Sequence, residues 1–213
     1  MKTVFTLLVS LVLTGTMLAG GPEFQKAMGS ALKQMSAANS IDDMKNAANQ
    51  FERISKVETD QWLPLYYHAH CYIIMSFMER EDKDLKDEFL DVAETSVNKL
   101  LEMQPENAEV HTIHGFMYSA RLVVNPAVRG MKYGMLSGQA IGKALKLDPA
   151  NPRAQYMNIQ NEMGQAQFFG KDIAPYCAQA KAAWEHFDEY PIVSPIDPSW
   201  GKKELKDLSE SCK

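Results

Sequence analysis

The chain carries 213 residues, of which 46% are hydrophobic and 23% charged, with a formal net charge of −5. That composition suits one folded domain with a substantial buried core. A mildly acidic chain lacks the positive long-range field that draws phosphate backbones, which speaks against nucleic acid as a partner.

The first residues differ from the rest. Lys2 supplies a positive start, Val4 to Val12 is apolar, and small residues follow at Ala19, Gly20 and Gly21. This reads as a secretory signal peptide over residues 1–19, because the apolar part is too short to cross a bilayer. Cleavage after Ala19 is favoured, although it leaves Met17 at the position where a small residue is preferred. No second apolar run of spanning length follows. The mature chain is therefore expected to be exported, periplasmic or secreted, with no stable membrane span. Export permits disulfides, and three cysteines, Cys71, Cys177 and Cys212, leave at least one thiol unpaired within the chain.

A single domain is expected over residues 20–213. Phe24, Ala27, Met28, Ala31, Leu32 and Met35 follow the spacing of a one-sided amphipathic helix. Ser40, with Asp42 and Asp43 behind it, is set to cap a second helix whose buried face is Ala47, Phe51 and Ile54. Asp60 is the expected cap of the next helix. The run from Trp62 to Met78 is apolar on almost every side, so that helix must be covered on more than one face. The charged turn at 79–84 lacks the glycine and glutamate spacing of a calcium loop. A helix striped by Ala93, Val97 and Leu100 follows and stops before Pro105.

Residues 108–152 read as a complete helical hairpin. Asn125-Pro126 breaks its first helix, the second runs from about Gly130 to Leu147, and Asp148-Pro149 ends it. A third pair is expected from Pro152 to about Gln165 and from Ile173 to Phe187, with Phe168-Phe169-Gly170 as the turn. A proline-rich irregular stretch leads to Ser199, the expected cap of a last helix with Leu205, Leu208 and Cys212 on one side.

These units repeat. Trp62, Ala108 and Pro152 open the first helices, 46 and 44 residues apart. Ala69 and Gly115 fall in register, as do Tyr72 and Tyr118; in the second helices Ala93, Val97, Leu100 and Pro105 match Ser137, Ile141, Ala144 and Pro149. Self-similarity at a fixed period marks stacked hairpins. On Gly115 with Tyr118, and on Ala144-Leu145-Lys146-Leu147-Asp148-Pro149-Ala150-Asn151-Pro152, the chain resembles the tetratricopeptide repeat family over about residues 22–188. Its period exceeds the usual thirty-four or so residues, which predicts longer helices or larger turns. More narrowly it looks like small exported repeat proteins of Bacteroidetes-type bacteria, on Asn125 to Gly130 and Trp200-Gly201-Lys202. The resemblance implies an all-α, TPR-like right-handed superhelix of antiparallel hairpins (about 22–59, 60–105, 106–150 and 151–188), closed by a capping helix at 199–213. Only stacking covers the apolar face of each hairpin, and burying one side chain such as Phe51 contributes roughly 1.5–3 kcal/mol.

The family binds peptides on the concave face made by its first helices. That resemblance places Leu63, Tyr66, His70, Thr112, Phe116, Arg153, Tyr156 and Gln160 there, and implies a non-enzymatic scaffold for a protein or peptide in the cell envelope, with no cofactor. Of the residues of the family's carboxylate clamp only Arg153 is present, so a C-terminal acidic peptide is not expected. The alternative is a metal-dependent factor or enzyme using His68, His111 and His114; the shared register of His68 and His114 favours packing instead. Gly138 to Ala144 resembles a phosphate loop only loosely, since the spacing is short and no serine or threonine follows Lys143. Arg121, Arg129 and Lys132 are read as ties holding the long turn. Cys177 and Cys212 lie on the stripes of two helices and form a candidate disulfide pinning the cap.

Overall fold

The structure, a computed structural model, describes residues 20–211, so the expected signal peptide lies outside the described residues. Nine α-helices follow one another among them: α1 Pro22–Ala37, α2 Ile41–Val57, α3 Leu63–Met78, α4 Lys83–Met103, α5 Ala108–Val124, α6 Pro126–Leu147, α7 Pro152–Phe168, α8 Ala174–Glu185 and α9 Lys202–Glu210. A short 3-10 turn, Phe187–Glu189, follows α8. No strand occurs among the described residues. The fold is all-α, a stack of antiparallel helical hairpins in chain order with a C-terminal cap.

Each helix packs on the next, and the first helices of successive hairpins also touch: α3 on α5, and α5 on α7. The all-round apolar character of α3 follows from this, since α2, α4 and α5 all cover it. Its Tyr66, Ala69, Cys71, Ile73 and Met75 are fully buried. Short polar side chains start several helices, Ser40 among them as expected. Ser40 Oγ accepts from the Asp43 amide at 3.1 Å, Asn107 Oδ1 from Glu109 at 2.9 Å, and Asn151 Oδ1 from Arg153 and Ala154. Gly115 is where two helices meet most closely: a Cβ there would lie 2.5 Å from Ile141 Cδ1 and 3.3 Å from the Ser137 carbonyl.

Several boundaries differ from the sequence reading. The third helix starts after Trp62 with no side-chain cap, so Asp60 does not serve there. The sixth helix begins at Pro126, not near Gly130. The extra length of the repeat is thus spent on a longer helix, because proline at the first turn loses no hydrogen bond. The last helix is capped by Gly201 rather than Ser199: Gly201 takes φ +102°, and Glu204 accepts from its amide at 3.2 Å. Gly138 and Gly142 face open space within α6, so they do not serve close packing; Ala140 and Ala144 are the buried small residues. Among the described residues no helix is long and apolar enough to cross a membrane.

Candidate functional site

The concave face does collect the residues that the repeat register assigns to it, but the chain covers them itself. Residues 190–201 run from the end of α8 across the first helices. Tyr67 donates to the Ile196 carbonyl at 2.9 Å, and Ile196 is buried in the core that Phe24 and Met28 begin. Trp200 stacks on His70 (5.4 Å between ring centres) and on Phe116 (5.2 Å), with the edge of Tyr156 against it. Phe77 extends the column by stacking on Phe116. Leu63, Tyr66, His70, Thr112, Arg153 and Tyr156 are consequently buried, Phe116 is half-buried, and Gln160 is exposed. The groove is therefore not open as the resemblance implied. The filler comes from a segment without periodicity, about 130 residues from the α3 side chains that it bonds.

A buried polar relay fastens that segment. The indole N–H of Trp200 donates to the Tyr66 hydroxyl at 2.8 Å, and Tyr66 donates to Glu109 Oε2 at 3.2 Å. Glu109 Oε1 receives Arg153 Nε at 2.8 Å and the Asn151 amide. Arg153 also lies 5.5 Å over the Tyr190 ring. Inside a low-dielectric core such a network holds only when every member has a partner, and here each does. Arg153 is thus committed to Glu109 and is not a free receptor for a peptide carboxylate. His70 is the exception in the region. Its Nδ1 is buried without a hydrogen-bond partner among the described residues, and burial lowers its pKa to about 4, so the ring is neutral.

A cavity lies on the other side of the same helices. The ends of α2 and α4 form its walls and α3 its floor, enclosing about 580 Å³. Leu65, His68 and Tyr72 rise from α3; Val92, Thr95, Ser96, Lys99 and Met103 line the α4 side, and Glu52, Ser55 and Lys56 the α2 side. His68 Nδ1 sits 2.8 Å from Ser96 Oγ, and its ring packs on Tyr72 with centres 4.9 Å apart. Burial, seconded by Lys56 and Lys99 and opposed by Glu52, lowers the His68 pKa. A neutral imidazole, a phenol and aliphatic side chains, flanked by Lys99 and by Lys56, whose ammonium pairs with Glu52 at 2.7 Å, make a slot for a flat apolar body carrying acidic substituents. In the sequence His68 and Tyr72 stand out only as repeat positions; the slot itself has no sequence signal, because it depends on what α2 and α4 leave uncovered.

The histidines considered for metal do not converge. His68 bonds Ser96, His111 Nε2 bonds the Pro105 carbonyl at 2.7 Å, and His114 packs on Tyr118. Among the described residues no group of three His, Cys, Asp or Glu side chains is placed to hold a metal ion. Arg121 and Arg129 tie α5 and α6 to α4: Arg121 reaches Asp87 at 2.9 Å, Glu94 at 2.9 Å and also Asp91, and Arg129 grips both oxygens of Asp87. Lys132 takes no part and lies over Tyr133 instead. Cys71 is free and buried, its thiol pushed up to about 12 by burial, so it is no nucleophile. Cys177 is disulfide-bonded, whereas Cys212, its expected partner, falls outside the described residues.

No family model matches the chain, and no curated protein matches it either. Among solved structures it is similar to the HusA haemophore from Porphyromonas gingivalis, with a TM-score of 0.78 and 26% sequence identity over 92% of this chain and 96% of that one. A binding protein of a Bacteroidetes species therefore shares this architecture across nearly its whole length.

Proposed function

We propose that this chain is an exported, non-enzymatic binding protein whose ligand is a planar, largely apolar ring system with acidic side arms, of the haem class, seated in the slot formed by α2, α3 and α4. The observation that carries the reading is the slot itself: a preformed cavity of about 580 Å³ whose floor is the His68–Tyr72 ring pair, with Lys56 and Lys99 on opposite walls. That volume is in the range of about 300–1,000 Å³ usual for small-molecule sites. Ring faces and aliphatic side chains offer stacking and apolar contact; Lys99 suits one carboxylate, and Lys56 suits a second by exchanging its exposed partner Glu52 for it. Similarity to a haemophore supports the ligand class. His68, tied to Ser96 and packed on Tyr72, acts as a wall, so binding rests on shape and edge charge more than on iron. The concave face serves the other partner class, a protein or peptide, less well, because such a partner must first displace Ile196 and Trp200.

Titration of the mature protein with haem and with a metal-free porphyrin, followed by absorbance and tryptophan quenching, tests this. Both ligands are expected to bind. Lys56→Glu together with Lys99→Glu should weaken each about tenfold or more, which is about 1.4 kcal/mol at the least. Failure of both ligands to bind, or unchanged affinity in the double variant, refutes the slot.

A further inference from the structure

The two edges of the stack are unlike. The hairpins alternate, and α3, α5 and α7 lie side by side, so all turns within hairpins share one edge and all turns between hairpins share the other. The turns between hairpins are polar, with Gln104, Glu106, Asn107 and Asp148; Val57 is exposed at the end of α2, and Ile192 and Val193 are exposed in the segment that follows Tyr190. The edge within hairpins is apolar over its α5–α8 half. There Val123, Val128, Met131, Met135, Phe168 and Phe169 stand in solvent, Met131 at 90% and the two phenylalanines at 79% and 61% exposure. Val128, Met131 and Met135 make one stripe on α6, and the two phenylalanines tip the tight turn that Gly170 closes at φ +65°. Monomeric proteins rarely leave so much apolar surface uncovered on one side.

We propose that this edge seats the protein on the interfacial layer of an anionic lipid bilayer. Three observations select lipid over a protein partner. The patch is convex, built from a protruding turn and a helix end, so it inserts into a soft layer more readily than it receives a side chain. Its exposed cations, Lys132 and Lys171, pair with no carboxylate among the described residues; their ammonium groups lie 5.0 Å over Tyr133 and 5.9 Å over Phe169. Lysines flanking exposed aromatic and aliphatic side chains match the charge and depth profile of an acidic headgroup region. The contact ends where the same edge turns acidic, at Glu79, Glu81, Asp82 and Asp84. The proposal is independent of the ligand slot, which faces away from this turn edge.

The test is co-sedimentation of the mature protein with vesicles of phosphatidylcholine alone and of phosphatidylcholine with phosphatidylglycerol. Binding is expected to the anionic vesicles and to fall with added salt. Phe168→Ser with Phe169→Ser should lower it about tenfold, while Val57→Ser on the opposite edge leaves it unchanged. Both sets of positions are exposed, so circular dichroism and thermal midpoint should be those of the parent; should the double variant misfold, Lys132→Glu with Lys171→Glu replaces it with the same expectation. No binding to either vesicle, or equal binding by the variants, overturns the proposal. So does a concentration-dependent dimer, seen by light scattering, that the phenylalanine substitutions abolish.

Discussion

The slot between α2, α3 and α4 and its counterpart one repeat later, between α4, α5 and α6, are built from matching pieces and end differently. His68 and Tyr72 floor the first; His114 and Tyr118, 46 residues on, floor the second with the same ring-to-ring packing at 4.9 and 4.5 Å. The first opens into a cavity of about 580 Å³, and in the second the paired helices approach more closely. Three differences between the repeats accompany this, two of them substitutions. Ala69 is replaced by Gly115, which lets α6 close onto α5 until Ile141 fills the space of the missing Cβ. Lys99, whose charge faces the first slot, is matched by Lys143, which reaches over to the Pro105 carbonyl at 3.1 Å and to Glu106. Met75, buried in the core, is matched by Arg121, which together with Arg129 clamps α4, α5 and α6 through Asp87. Neither histidine by itself distinguishes a floor from a filler; the neighbouring second helices do.

The clamp is the largest lever on this contrast. Arg121→Ala leaves Asp87, Asp91 and Glu94 facing one another without their shared cation. Removing one partner of a buried pair costs about 3–5 kcal/mol, and because these carboxylates reach water the expected loss is about 2–3 kcal/mol. Urea denaturation measures it, and a loss below about 1 kcal/mol removes the clamp from the explanation. Gly115→Ala comes next. Its Cβ must push Ile141 aside against the Ser137 carbonyl, an overpacking worth about 1–2 kcal/mol. Adding Ile141→Val should restore part of that loss, since it removes Cδ1 at 2.5 Å while Cγ1 at 2.6 Å remains. If the glycine substitution is neutral, close approach is not what sets the second pair of helices apart from the first.

Much of this architecture was legible in the chain. The 46- and 44-residue register, the small residue at 115, the cap at Ser40, the helix start at Pro152 and the stop at Asp148 all stem from local rules, and the structure follows them. The site was less so. Register placed Tyr66, His70 and Phe116 on one face, but Trp200 and Ile196 cover that face from a segment with no period, and no local rule announces a contact over so long a separation. Likewise Glu109 and Arg153 are each ordinary surface residues in sequence; only the fold shows them to be one buried pair. The slot was invisible for a third reason. It is made by the absence of a bridging side chain, and an absence has no motif.

The smallest expected effect separates the two floors by acid. Burial, with His111 adding like charge, lowers the His114 pKa to about 4 from an unfolded value of 6.5. The unfolded chain then binds more protons than the folded one between those two pH values. Stability from this group is complete above about pH 6.5 and is lost as pH falls toward 4. His68 is also lowered, but Glu52 beside the open slot works against the shift and steadies its charged form. His114→Gln should therefore flatten the fall in urea midpoint between pH 7 and pH 4.5 more than His68→Gln does, while buried His70 contributes equally to both backgrounds. Equal slopes in the two variants mean that the closed floor is no drier than the open one, and the contrast between the slots then rests on side-chain bridges alone.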